Sequence, residues 1–175
     1  MFTNHTMLTI GGFIILTTIL TSFYGLMGNT GDDISDAQDM ILATTIATSY
    51  IEVAQGLAFD DITDTSNVAL NNLSALTAST SLGPETTDED SIHKFNDFDD
   101  FNGFQCERTA TGTTRRYTTE FSVFYVNPDD VGQVTSAKTY VKRLDTKTWR
   151  SFPPPSGTAL DTLRLSFVLG YFHFD

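Results

Sequence analysis

The residues best suited to chemistry lie in an acidic stretch, Asp-Phe-Asp-Asp-Phe-Asn-Gly, at positions 97–103. Four of its side chains carry oxygen atoms of the kind that Ca²⁺ takes from proteins. These are Asp97, Asp99, Asp100 and Asn102. The stretch does not match an EF-hand, because counting back from Gly103 as the sixth residue places Phe98 at the first ligand position. Two interpretations stay open: a weak calcium site, and the favoured one, a solvated acidic turn that Phe95, Phe98 and Phe101 anchor to the core.

Other reactive residue types form no recognisable catalytic group. His5, His93 and His173 are far apart and lack metal-ligand spacing. The single cysteine, Cys106, cannot form an internal disulfide, so we expect a small apolar residue in or near a strand; a reactive or intermolecular thiol is the alternative. No Gly-rich phosphate loop or Gly-x-Ser-x-Gly motif is present. We therefore expect no enzymatic activity, no small-molecule substrate, and no cofactor other than possible calcium.

The charge distribution excludes one class of partner. The net charge is −12, and residues 1–93 contain twelve acidic residues but no Lys or Arg. Residues 94–175 contain ten basic and ten acidic residues. Nucleic-acid binding is not expected, because phosphate backbones are bound by clustered Lys and Arg.

The element most unusual in a soluble domain is the segment 7–27, which has 21 uncharged and mostly apolar residues. As a helix it would be about 31 Å long, enough to cross the hydrocarbon core of a bilayer. It lacks the basic leader and the small-x-small site of a secretory signal, so we expect it to be retained. Its threonines and glycines are typical of helices that pack closely on one another. The alternative is an ordinary single-pass anchor.

An amphipathic helix is predicted over residues 33–57, after a break or kink at Gly28-Asn-Thr-Gly31. Apolar residues recur there at heptad spacing, and we expect this broad apolar surface to pack on more than one partner, the chain's own sheet and a neighbouring copy of the chain. A helix simply buried under one sheet is the alternative. The predicted assembly residues are Ile14, Ile15, Ile19, Leu20, Met40, Ala43, Ala47, Tyr50, Ala54 and Leu57.

The remaining sequence predicts an α+β fold. Residues 59–103 form an irregular acidic surface region, and alternation with a period of two predicts an antiparallel sheet of about four strands over residues 104–175. The predicted strands cover residues 104–110, 115–126, 136–149 and 163–171. The division is therefore 1–58, 59–103 and 104–175, with the second half of the helix packed on the sheet.

The order of hydrophobic helix, amphipathic helix, loop and antiparallel sheet resembles the bacterial type IV pilins and pseudopilins. Two stretches add to the resemblance, Ala47–Asp60 and Phe95–Gly103. Gly12-Phe13 is similar to the pilin cleavage junction, but no basic leader precedes it and Thr17 stands where the family has Glu. The resemblance implies a structural role, with helices bundled at the centre of a filament and sheets outside.

We therefore expect a subunit of a pilus-like extracellular filament, inserted in the inner membrane before assembly and displayed at the cell surface afterwards. The alternatives are a membrane-anchored surface or periplasmic binding domain and a minor pseudopilin of a secretion or pilus complex. Contacts between copies are expected to pair an acidic with a basic group of residues. The acidic group is Glu85, Asp88, Glu89 and Asp90, and the basic group is Lys138, Lys142, Arg143, Lys147 and Arg150.

Overall fold

The computed structural model describes residues 2–65, 72–154 and 162–172, with the backbone alone for residues 2–5, 29, 32 and 65. The fold is α+β, with a long apolar N-terminal helix followed by an antiparallel sheet, as the sequence predicts. Helix α1 is Phe2–Gln55. The chain forms two compact units, Met1–Asp39 and Met40–Asp175.

The first unit is helical throughout its described residues, so the predicted break at Gly28–Gly31 is wrong: these residues keep helical hydrogen bonding. The alternative, a kink there, stays a prediction. Each glycine costs a helix only about 1 kcal/mol relative to alanine, which a long run of intact turns can absorb. The Thr30 hydroxyl also donates to the carbonyl of Leu26 at 2.9 Å, so it bonds to the helix instead of capping a new one. The predicted cap by Asp32 concerns a side chain outside those described.

The second unit begins with the end of α1 and continues through the short helix α2, Asp61–Thr65. Three 3₁₀ turns follow, at Leu73–Ala75, Ile92–Lys94 and Asp99–Phe101. The strands are β1 Gln105–Thr109, β2 Arg116–Asn127, β3 Asp130–Val134, β4 Val141–Phe152 and β5 Thr162–Gly170.

The sheet is antiparallel and has five strands among the described residues, in the order β1-β2-β4-β5, with β3 paired to the end of β2. The sequence predicts about four, because residues 130–134 are too short and polar to show alternation. The predicted third strand, 136–149, corresponds to β4 but begins too early, because β4 starts at Val141.

The core lies between one face of α1 and one face of the sheet. The alternation predicted for β2 is confirmed: Tyr117, Thr119, Phe121, Val123 and Tyr125 are all buried. The buried residues of α1 are Ala43, Ile46, Ala47, Tyr50 and Ala54. The Tyr50 ring meets that of Phe121 edge-on, with centroids 5.3 Å apart. Small alanines on this face allow the helix backbone to approach the aromatic side chains of the sheet.

Candidate functional site

The acidic stretch is held against the end of helix α1 by backbone bonds. Phe98 N–H donates to Ala58 O at 2.9 Å, and Ala58 N–H donates to Asn96 O at 3.3 Å. The Phe95, Phe98 and Phe101 side chains are buried in the core, as predicted. The predicted solvated turn is nonetheless wrong, because Asp97, Asp99 and Asp100 are fully buried as well. A 3₁₀ turn closed by anchored aromatic side chains places the intervening carboxylates inside the protein.

Two of these carboxylates use one oxygen each to fix the backbone. Asp97 Oδ1 accepts the N–H groups of Asp99 and Asp100, at 2.8 and 3.2 Å. Asp100 Oδ2 accepts those of Asn96 and Asp97, at 2.9 and 3.2 Å. The second oxygens, Asp97 Oδ2 and Asp100 Oδ1, are buried and have no hydrogen-bond partner within the described parts of the chain; the same holds for Asp99 Oδ2. Because buried polar atoms are nearly always paired, three such oxygens in four residues require an explanation.

A buried lysine supplies the positive charge of the cluster. Lys142, on β4, is fully buried and its ammonium donates to Asp60 Oδ2 at 2.9 Å, to Phe59 O at 2.7 Å and to Asp99 Oδ1. It also lies 4.7 Å from the ring centroid of Phe59 and 5.4 Å from that of Tyr125. This one ammonium pairs directly with two carboxylates, those of Asp60 and Asp99.

One more carboxylate, that of Glu85, reaches the cluster from the preceding loop. Glu85, Asp97 and Asp99 each offer a carboxylate oxygen, and the three oxygens lie within 4.8 Å of one another. Asn102 positions that loop: its amide donates to Leu82 O at 2.9 Å, and its Oδ1 accepts Val123 N–H at 3.0 Å. The Asn102 amide thus joins the loop to β2, and its predicted role as a calcium ligand stays a prediction.

Desolvation by the surrounding protein atoms raises the pKa of four carboxyl groups: Glu85, Asp97, Asp99 and Asp100. The pKa of Asp97 rises from 3.8 to about 8, through burial first and the neighbouring Asp99 charge second, with Lys142 opposing. The pKa of Glu85 rises to about 7, through partial burial and then through Asp99 and Asp100. Burial also raises the pKa of Asp99 and of Asp100. The fold therefore disfavours full ionisation of this cluster unless positive charge is added.

We predict that, in the presence of a chelator, the free energy of unfolding falls as pH rises from about 4 to 8. Asp97, which faces Glu85, Asp99, Asp100 and Lys142, has a pKa of about 8 in the folded chain against an ordinary value of 3.8. Between these values the unfolded chain releases the proton and the folded chain retains it, so rising pH favours unfolding. We expect a loss of about 1 to 3 kcal/mol, measured by denaturant unfolding of the full chain in mild detergent.

The matched variant is Asp97→Asn, which removes the titrating group but keeps an oxygen for the backbone bonds. Its stability should depend less steeply on pH over the same interval. Parallel curves for the two proteins would contradict the prediction.

A second surface that calls for a function is the apolar helix of the first unit. From Met7 to Met27, its large apolar side chains are between 45% and 78% exposed. The hydroxyls of Thr17, Thr18 and Thr21 donate to carbonyls four residues earlier in the same helix, each at 2.8 Å. The helix therefore presents an almost wholly apolar surface, and these hydroxyl protons are already used within it.

The predicted assembly residues divide between two environments. Ile14, Ile15, Ile19 and Leu20 are exposed, as is Met40. The heptad seam beyond Met40 is instead buried in the chain's own core, so the assembly prediction is wrong for Ala43, Ala47, Tyr50 and Ala54. Leu57 packs against the same core. The chain's own sheet covers this seam, as expected for one of its two partners, because the inward face of β2 needs a small, apolar helix face to cover it.

The predicted charge pairing between copies is wrong for Lys142, which is buried. The other members are mostly paired within the chain: Arg143 with Asp145 at 2.9 Å, and Lys147 with Glu120 at 3.0 Å. Lys138 donates to Ser74 O at 2.9 Å and also to Leu76 O. Of the acidic group, Asp90 pairs with Lys94 at 2.8 Å, Glu89 Oε2 accepts Thr86 N–H at 3.0 Å, and Asp88 is exposed.

The remaining candidates keep modest roles. Cys106 lies in β1 and is partly buried, as predicted for a small apolar residue; burial raises the pKa of its thiol. His93 is exposed, and the side chains of His5 and His173 lie outside those described. The functional residues missed by sequence reasoning are Lys142 and Asp60. Alternation with Leu144 and Thr146 on β4 would have placed Lys142 on the buried face; Asp60 has no comparable signal.

Comparison of the chain with family models, curated proteins and solved structures finds no match in any of the three.

Proposed function

We propose that the chain is a structural subunit of a pilus-like extracellular filament, held together by bundled N-terminal helices. One observation carries the proposal: the apolar surface of residues 7–27 is exposed all along its length. A surface of this size is stable only when something apolar covers it. Residues 6–55 form one helix that is long and apolar enough to cross a membrane, so insertion in the inner membrane before assembly fits the same segment.

The same helix in neighbouring copies of the chain suits the apolar surface of residues 7–27 better than lipid alone. Added Cβ atoms at Gly11, Gly12 and Gly25 would meet no atom within 4 Å, so these positions leave the backbone open to close approach. Small residues of this kind are enriched where apolar helices pack together, because close backbone approach increases van der Waals contact. The resemblance to type IV pilins and pseudopilins supports the same arrangement.

A single-pass anchor carrying a surface or periplasmic domain is the second candidate, favoured by the length of the apolar helix alone. A minor pseudopilin would share the helix and differ in copy number.

Oxidative cross-linking of the helix tests the proposal. Ile14 and Leu16 are both exposed and project about 200° apart around a helix, so cysteines there face opposite sides. We would introduce Ile14→Cys and Leu16→Cys together in a Cys106→Ser background and oxidise the full chain. A bundle with neighbours on several sides predicts a ladder of covalent oligomers beyond the dimer.

The control is the same protein dissolved in SDS before oxidation, which should give no ladder. Monomers alone in the untreated sample would contradict the proposal and favour the anchored monomer. Dimers without larger species would also contradict it, because a filament needs contacts that propagate.

A further inference from the structure

The acidic cluster has the composition of a binding site for a hard cation. Glu85, Asp97 and Asp99 offer only carboxylate oxygens. Calcium and magnesium bind such oxygens in preference to the nitrogen and sulfur ligands that most transition metals take. The separation of these oxygens is at most 4.8 Å. Two oxygens bound to the same Ca²⁺ at about 2.4 Å can be at most about 4.8 Å apart, so the separations in this group stay within the limit for one ion.

The unpaired oxygens provide the second, independent observation. Asp97 Oδ2 and Asp99 Oδ2 belong to side chains with no exposed surface, and neither oxygen makes a well-formed hydrogen bond among the described residues, although the Asp97 and Asp99 carboxyl groups interact with each other. The other oxygen of each is already engaged, by backbone N–H groups for Asp97 and by Lys142 for Asp99. The fold therefore holds each carboxylate in place through one oxygen and leaves the second available to a ligand.

We propose that Glu85, Asp97 and Asp99 bind one Ca²⁺ ion. Glu85 is exposed, so water can reach the ion from its side and complete the six to eight oxygens that calcium takes. Mg²⁺ fits less well, because its ligands lie at about 2.1 Å in a strict octahedron, and the two buried aspartates belong to a rigid turn. The ion adds the positive charge that Lys142 alone does not supply, and it stabilises the domain whether or not the chain forms filaments.

Asp100 and Glu89 define the nearest competing arrangement. Glu85, Glu89 and Asp100 also offer oxygens within 4.8 Å of one another. However, Glu89 already accepts the N–H of Thr86 at 3.0 Å and is not buried. The group that contains the buried Asp97 and Asp99 is therefore the favoured site. A Glu89 variant distinguishes the two groups, because Glu89 belongs only to the competing one.

The test is calorimetric titration of CaCl₂ into the full chain in mild detergent after treatment with a chelator. We expect saturable binding of one ion per chain, with a dissociation constant near the 10⁻⁴–10⁻³ M typical of extracellular modules. Saturating calcium should raise the melting temperature by roughly 5 °C. Asp97→Asn and Glu85→Gln should each weaken binding about tenfold or more. The matched control, Asp88→Asn, removes an exposed acid from the same loop and should bind as the wild type does.

Several results would overturn the assignment. One is the absence of both heat and a melting shift at about 10 mM Ca²⁺, well above the weakest expected dissociation constant. Equal weakening by Asp88→Asn would indicate diffuse attraction to acidic surface instead of a site. Loss of binding in Glu89→Gln but not in Asp97→Asn would place the ion on the competing triad, and equal affinity for Mg²⁺ would remove calcium as the preferred ion. If Asp97→Asn does not fold, Glu85→Gln decides the outcome, because Glu85 is exposed and outside the core.

Discussion

Replacement of Lys142 by methionine should destabilise the sheet-bearing unit by about 3 to 5 kcal/mol, a large share of the roughly 5 to 15 kcal/mol by which an ordinary domain is stable. The substitution preserves much of the apolar stem but leaves Asp60 and Asp99 buried without their cation. It also removes a donor to Phe59 O at 2.7 Å. Removing one partner of a buried ion pair costs far more than the pair contributes, because the remaining charge keeps its desolvation penalty. Denaturant unfolding of the full chain measures the loss.

Lys147→Met is the matched control on the same strand. Lys147 pairs with Glu120 at 3.0 Å, and both side chains are about 40% exposed. Such a pair contributes at most about 1 kcal/mol, so this variant should unfold close to the wild type. Adding Asp99→Asn to Lys142→Met should recover part of the lost stability by removing one uncompensated carboxylate. Equal effects of Lys142→Met and Lys147→Met would contradict the buried network.

Replacement of Ile15 by aspartate should abolish assembly. Ile15 lies inside the apolar segment and is 63% exposed in the isolated chain. A charge at the centre of an apolar helical segment costs about 2.5 to 3.5 kcal/mol on insertion scales. Within a bundle that cost recurs in every subunit. Aspartate is preferable to lysine for this test, because a long lysine side chain can extend its charge out of an apolar region.

The readouts for Ile15→Asp are polymer yield and the melting temperature of the sheet-bearing unit. The core of that unit is built from residues after Leu42, so its melting temperature should match that of the wild type. Ile15→Leu, which keeps the apolar surface, should assemble normally. Normal assembly of Ile15→Asp would contradict a role for the apolar segment in covering neighbouring helices.

Period-two and heptad patterns predicted most of the fold because burial on one face leaves a direct trace in sequence. On β2, the residues from Tyr117 to Tyr125 alternate and are buried as expected. The helix seam of Ala43, Ala47 and Ala54 was found by the same reasoning. The assignment of these residues to contacts between copies was wrong, because periodicity shows that a face is covered and does not show by what. The predicted break at Gly28–Gly31 was wrong because the helix propensity of single residues contributes little to whether a long helix continues.

The candidate site was predictable only in part. The concentration of oxygen ligands at Asp97, Asp99 and Asp100 was visible in the sequence. Their burial was not, because it depends on phenylalanines at neighbouring positions and on the backbone bridge between Ala58 and Asp97. Glu85 lies in another loop, and only the folded chain brings it next to Asp97 and Asp99. Lys142 was misjudged because a lysine in a basic run is ordinarily solvated, and only its register on β4 reveals its burial.

Electron microscopy of the purified full chain after removal of mild detergent tests the central claim most directly, since it shows what covers the apolar helix. If the helix of residues 7–27 packs against the same helix in neighbouring copies, we expect fibres of constant diameter. These fibres should be absent in Ile15→Asp and present in Ile15→Leu. Solitary particles under every condition, with a single sedimenting species of monomer mass in detergent, would contradict it.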